Sequence, residues 1–265
     1  MGSMIDEPFG AAIPSIPLRR SPLAFVVAQV RFPLVVSIAE ESFIGPFQEL
    51  IRGTYGDLRR EDEAQVLIGP DGVQTLKGGV VWRFSDSLSG WEVALTPEFV
   101  ALATSQYTDR QDFLTRLRQV IDALETWLRP TKVRRLGVRY INRVQEPDHL
   151  EHLRALLRPE VLGPYGVDRP EAVNLTNALT EVDYQFTDET ALKARWGVLG
   201  PKTTFDPAIA PVDSPSWVLD LDASHDERDF DPAAIVDQVQ LFTDRIYRYF
   251  RWAVTDEFLT LHGAD

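Results

Sequence analysis

The sequence predicts an α+β protein of two fused β-α-β-β-β-α repeats, forming a mostly antiparallel sheet with long helices on one face. Three observations predict it. Runs of β-forming residues alternate with two long amphipathic segments, the order of elements restarts near residue 131, and short matches recur between the halves. "GWEVALT", then Asp112-Phe113 and a long helix, parallels "SWVLDLD", then Asp229-Phe230 and another. The expected divisions are a flexible tail over 1–21, whose "MGSM" reads as an expression scar, and units over 22–130 and 131–265.

In the first unit a strand spans 22–32. A short helix follows, its Phe43, Phe47, Leu50 and Ile51 at helical spacing, with Gly45-Pro46 expected to break its start. Three strands are predicted from "AQVLIG", "VQTLKGGVVWRFS" and "WEVALTPEFVALAT". Pro70-Asp71-Gly72 and the stretch 87–90 are the turns between them. Phe113, Leu117, Val120, Ile121, Leu124, Trp127 and Leu128 stripe the first long helix, which Thr108 or Asp109 caps and Pro130 stops.

The second unit opens with "KVRRLGVRYINRV" and a helix in "PDHLEHLRALL". After a Pro- and Gly-rich loop come a hairpin around Asp188-Glu189, a second Pro-rich loop over 201–215, and the strand "SWVLDLDA". The last helix starts at Asp231-Pro232, an N-cap with proline at the first helical position. Ile235, Val239, Phe242, Ile246, Tyr249, Phe250 and Ala253 form its apolar stripe.

At 265 residues, with ordinary apolar and charged content, the chain can bury a proper core. It has no segment long and apolar enough to span a bilayer and no basic-then-apolar leader. The absence of cysteine removes disulfides, thiolate nucleophiles and cysteine-bound zinc, in keeping with a cytoplasmic location. A net charge of -13 argues against nucleic acid and anionic membranes as partners of the whole surface. It leaves room for a local basic site.

Such a site is suggested by strand alternation, which sends successive side chains to opposite faces. Leu136, Val138, Tyr140 and Val144 share one face of their strand; Arg135, Arg139 and Arg143 share the other. The same parity in neighbouring strands gives six candidate binding residues on a helix-free face: Arg31, Arg83, Arg139, Arg143, Lys193 and Arg195. Two outcomes are open. The cations can pair with Glu92, Glu181, Asp183, Asp220 and Asp222 on adjacent strands, or they can bind an anionic ligand or acidic partner, for which arginine's planar fork is suited.

Catalytic signals are sparse. No phosphate-binding GxxxxGK[ST] loop, GxSxG elbow or HExxH helix is present. His149 and His152 sit at a spacing that can present two imidazoles to a metal, without an evident third ligand. The acid-rich 220–231 lacks the glycine and ligand spacing of a calcium loop, and reads better as a connector. Trp82, Trp91, Trp196 and Trp217 read as core or sheet-edge residues rather than base-stacking platforms.

"SPLAFVVAQVRFP", "WRFSDSLSGWEVALTPEFVALATSQY", "DFLTRLRQVIDAL" and "RRLGVRYINRV" together resemble a sporadically distributed prokaryotic family of uncharacterised proteins. The resemblance covers roughly 21–144 and carries no established activity. A patchy distribution implies an accessory gene of defence, toxin-neutralising or specialised-metabolism loci. The expectation is therefore a non-catalytic binding protein needing no cofactor or metal. It would recognise a protein partner or small anionic ligand, in an oligomeric state the sequence leaves open. The alternative is a nucleotide-responsive protein or enzyme with a phosphate site in the cleft between the repeats.

Overall fold

The computed structural model describes residues 7–69, 72–86 and 88–264, the side chains of 63–69 and 72–78 excepted. In chain order the first elements are β1 (Leu23–Arg31), α1 (Glu41–Ile51), β2 (Asp57–Gly69), β3 (Gly72–Asp86), β4 (Trp91–Leu95), β5 (Phe99–Thr104) and α2 (Arg110–Trp127). Then come β6 (Lys132–Val133), β7 (Arg135–Val144), α3 (Pro147–Glu151), α4 (Leu153–Leu156), α5 (Pro159–Leu162), β8 (Ala178–Gln185) and β9 (Thr190–Leu199). The last are β10 (Ser216–His225), β11 (Arg228–Asp229), α6 (Pro232–Ala253) and α7 (Asp256–Leu261).

Nine strands form one sheet in the order β2-β3-β4-β5-β1-β7-β10-β9-β8, antiparallel in every pairing whose register is described, and helices pack on it. The chain divides into two compact units, neither continuous in sequence. Unit 1 comprises the residues up to Phe25, Arg139–Ser224 and Leu241–Asp265; unit 2 comprises Val26–Val138 and His225–Gln240.

In unit 2, β1 alternates as expected, with Val26, Ala28 and Val30 buried. Helices α1 and α2 cover that face. Phe47 of α1 meets Phe84 of β3 at 5.5 Å between ring centres, and Phe113 of α2 stacks on Trp91 of β4 at 6.0 Å. The Asp109 side chain caps α2 by accepting from the Asp112 amide. The single strand expected over 91–104 is two. Pro97 has no N–H to give a ladder, and the Thr96 hydroxyl accepts from the amides of Glu98 and Phe99, turning the chain between β4 and β5. Conversely, Gly45-Pro46 does not break α1, which continues through Pro46 and buries Ile44, Phe47 and Ile51. The proline forfeits a hydrogen bond and crowds the preceding turn, and the buried stripe outweighs that cost. β2 begins at Asp57, before the apolar run, because a sheet-edge strand tolerates charge. Of the predicted turns, Pro70, Asp71 and Ser87 lie outside the described residues.

In unit 1, Tyr249 of α6 packs on Tyr184 of β8 at 6.0 Å, and Arg245 grips Asp188 of the β8–β9 turn at 2.5 Å. The predicted helix over 147–157 is broken into α3 and α4, because His152 leaves helical geometry. The amino-terminal segment, expected to be flexible, is tied down by its one aromatic side chain. Phe9 contacts Tyr184, Phe186 and Tyr249 at 4.8, 5.1 and 5.8 Å. The Ile16 amide donates to the Tyr247 hydroxyl at 2.7 Å, and Arg248 donates to the Ala11 carbonyl at 2.9 Å.

Candidate functional site

Strand β7 sends Leu136, Val138, Tyr140 and Val144 into the core, as its alternation dictates, while Arg139 and Arg143 face the other way. That second face is not open in unit 1. Ile141 lies between the two arginines and is 1% exposed, because it joins Leu199 of β9, Val218 of β10 and Ile209 in a second apolar cluster, with Phe25 and Phe205 at its edge. Phe205 and Ile209 belong to the Pro-rich segment 201–215, which thus forms a strap over the sheet. Burial of these side chains holds the strap in place of helix or strand bonding.

Beneath the strap two arginines and two aspartates neutralise one another. Arg139 donates from Nε and Nη2 to the two carboxylate oxygens of Asp220, at 2.7 and 2.8 Å, a bidentate fork. Its Nη2 also lies 3.0 Å from Asp206 on the strap. Arg195 reaches Asp220 at 2.6 Å and Asp206 at 3.5 Å, with its guanidinium over the Phe205 ring at 4.9 Å. Asp220 is 1% exposed and both arginine side chains are 15% exposed, so this is an internal network rather than a surface pair. Burial opposes the charge on Arg139, but the hydrogen bonds that Arg139 donates to Asp220 and Asp206 prevail and hold its pKa above the ordinary arginine value. Burial likewise works against ionised Asp206, and Arg139 overcomes it, leaving that carboxyl below its ordinary range.

Arg143 differs. Its Nη1 donates to the Ala210 carbonyl of the strap at 2.7 Å, while Nε and Nη2 are buried without a hydrogen-bond partner. It has no carboxylate partner among the described residues, and desolvation lowers its pKa. Next to it in sequence, Gln145, Glu146 and Pro147 face Lys202 and residues 211–214 across an open groove of about 970 Å³.

The remaining candidates pair with other carboxylates. Lys193 lies 2.8 Å from Glu181 and 2.9 Å from Asp183 across the β8–β9 pair. In unit 2, Arg83 lies 2.6 Å from Glu61 and 2.5 Å from Glu92, and Arg31 lies 3.7 Å from Glu98. The six positions are therefore not one continuous free cluster. Arg139 and Arg195 share two acids, Lys193 joins them through Glu181, which lies 4.0 Å from Arg195, and Arg31, Arg83 and Arg143 have other partners. Sequence reasoning missed Asp206, Glu61 and Glu98 as partners. Nothing in a loop's linear pattern marks Asp206, whereas the charged run before "AQVLIG" was a readable sign of an edge strand that would place Glu61 beside Arg83.

The histidines are also rearranged. His152 is exposed, its Nδ1 2.7 Å from the Asp148 carbonyl, while His149 is buried against His262 with ring centres 5.3 Å apart. Among the described residues no group of three or more His, Cys, Asp or Glu is placed to hold a metal ion. Trp82, Trp91, Trp196 and Trp217 are all buried, leaving no face for base stacking. No helix among the described residues is long and apolar enough to cross a membrane. No family model matches the chain, and no curated protein matches it.

Proposed function

We propose that this chain is a non-catalytic binding protein, an accessory component of a defence, toxin-neutralising or specialised-metabolism locus. The arginine-bearing side of its sheet recognises an anionic ligand or an acidic patch on a protein partner. Arg143 carries this reading. The other five cations have carboxylates within ion-pairing distance, and Arg143 has one carbonyl. An arginine that is sunk in the surface without its counter-charge is unfavourable in isolation, and it becomes favourable when an anion arrives.

The test is recovery of the protein from its native host under mild conditions, followed by identification of bound metabolites and proteins. The expected result is an anionic molecule or acidic protein that accompanies wild type and is lost from an Arg31→Ala, Arg83→Ala, Arg143→Ala, Lys193→Ala variant. The same molecule recovered equally with both would refute the reading.

We also read the two β-α-β runs as products of a duplication. In each, the opening strand lies beside the closing one, β1 with β5 and β7 with β10, and a long helix follows, α2 or α6. By this adjacency β10 is the counterpart of β5 and β2 is an addition to the first run, whereas the "GWEVALT" and "SWVLDLD" match sets β10 against β4.

A further inference from the structure

Arg139 and Arg143 are four residues apart on one strand, so they leave the same face of β7 in the same direction. Both extend a guanidinium under the strap. Arg139 presents its Nε–Nη2 edge to both oxygens of Asp220. The corresponding edge of Arg143, again Nε and Nη2, has no hydrogen-bond partner, and only Nη1 is engaged. The backbone beneath it is fixed, since the Arg143 amide donates to the Pro22 carbonyl at 2.7 Å. The strand therefore carries two forks of one kind, and the protein fills only one of them.

We infer that the Nε–Nη2 edge of Arg143 is a carboxylate-binding site. On this inference, which rests on the reading above, the ligand is an organic monoanion with an apolar tail. A planar carboxylate fits that edge as Asp220 fits its neighbour. The groove lined by Gln145, Glu146 and Pro147, which follow Arg143 in sequence, and by strap residues that follow Ala210, selects further. Glu146 and Asp213 stand on its walls beside the single Lys202, an arrangement that repels a phosphate dianion more strongly than a carboxylate monoanion. Pro147, Pro211 and Val212 supply apolar contact for a tail. Nε and Nη2 are buried, and on this inference a ligand reaches them by loosening the strap at Ala210, where Arg143 Nη1 is hydrogen-bonded.

The experiment titrates the full chain with acetate, hexanoate and inorganic phosphate at constant ionic strength. Binding is followed by calorimetry, and amide exchange is followed over 208–212. Wild type is expected to bind hexanoate more tightly than acetate, with phosphate weakest, and to exchange faster over 208–212 when hexanoate is bound. Arg143→Ala is expected to lose hexanoate affinity by about 30-fold or more. Arg143→Lys, which keeps the charge but not the fork, is expected to lose most of it too. Hexanoate binding that survives both substitutions but disappears from an Arg31→Ala, Arg83→Ala, Lys193→Ala variant overturns this site while sparing the wider reading of the face. Equal affinity for phosphate and hexanoate overturns the monoanion assignment. No binding of any of the three anions to wild type overturns this site, while the acidic-partner form of the wider reading is decided by the recovery experiment above.

Discussion

Asp220 and Arg143 point to the same side of neighbouring strands, yet their energetics are opposed. Asp220 is almost wholly enclosed and answers two guanidinium groups; Arg143 is partly enclosed and answers none among the described residues. Asp220→Asn keeps shape and removes charge, leaving Arg139 with Asp206 and Arg195 with Asp206 and Glu181. Breaking a buried ion pair from one side costs about 3–5 kcal/mol, and urea denaturation of the variant is expected to show a loss of that size. Arg143→Met removes two buried donors that have no partner, together with the one hydrogen bond to Ala210, and fills similar space with apolar atoms. The same measurement is expected to show no loss, or a gain of about 1 kcal/mol. A pair of equally damaging substitutions would mean that Arg143 has a structural role like that of its neighbour. The cations were legible in the sequence because strand parity is rigid. Their partners were only half legible, since Glu92, Glu181, Asp183 and Asp220 lie on predicted strands, whereas Asp206 arrives on a loop.

At the scale of elements, period-two and helical patterns located the sheet and both long helices, because each reports a face that must be buried. The misses share a cause, which is that a local feature was outweighed by its surroundings. Pro46 was read as a breaker and is carried inside α1 by the buried Phe47. The segment 201–215 was read as a loop because its prolines forbid regular bonding, and that much holds. Its fixed position, however, comes from Ile209 and Phe205 meeting Ile141, Leu199 and Val218, a contact between distant segments that no local pattern records. The β8–β9 pair depends on one position in the same way. Gly197 adopts φ 154°, and a Cβ placed there would lie 2.0 Å from the Ala178 carbonyl oxygen. Gly197→Ala must therefore push the two strands apart at their end, with an expected cost of about 2–3 kcal/mol. Amide exchange should accelerate at Val198 and Leu179 and leave α2 unchanged; an unchanged hairpin would mean the strands separate without strain.

For the molecule as a whole, Arg20 and His262, near the two ends of the chain, meet in unit 1, and a buried imidazole sits at their junction. The Arg20 amide donates to the His262 carbonyl at 3.0 Å, and His262 Nδ1 lies 2.7 Å from the Arg20 carbonyl, so the neutral ring donates there. His262 Nε2 is then buried with no partner, close to His149 and stacked on Phe258 at 4.2 Å. Burial depresses the pKa of His262 below 6.5, His149 adds to this, and Glu146 opposes it. The unfolded chain thus takes up a proton at higher pH than the folded one. The stability contributed by this ring is complete above pH 6.5 and is lost as pH falls toward the folded pKa, at no more than about 1.4 kcal/mol per pH unit. A second window lies lower. The hydrogen bond from Arg245 holds Asp188 at about 2, so its contribution is present above pH 3.8 and disappears as pH falls toward 2. Denaturant titrations at successive pH values should therefore show two declines. His262→Asn keeps a donor near the Arg20 carbonyl and abolishes the titration, so it should flatten the first decline alone. Asp188→Asn should flatten the second and leave the first. If His262→Asn leaves the slope between pH 6.5 and 5 unchanged, the acid response belongs to another group, and the meeting of the chain ends is indifferent to protons.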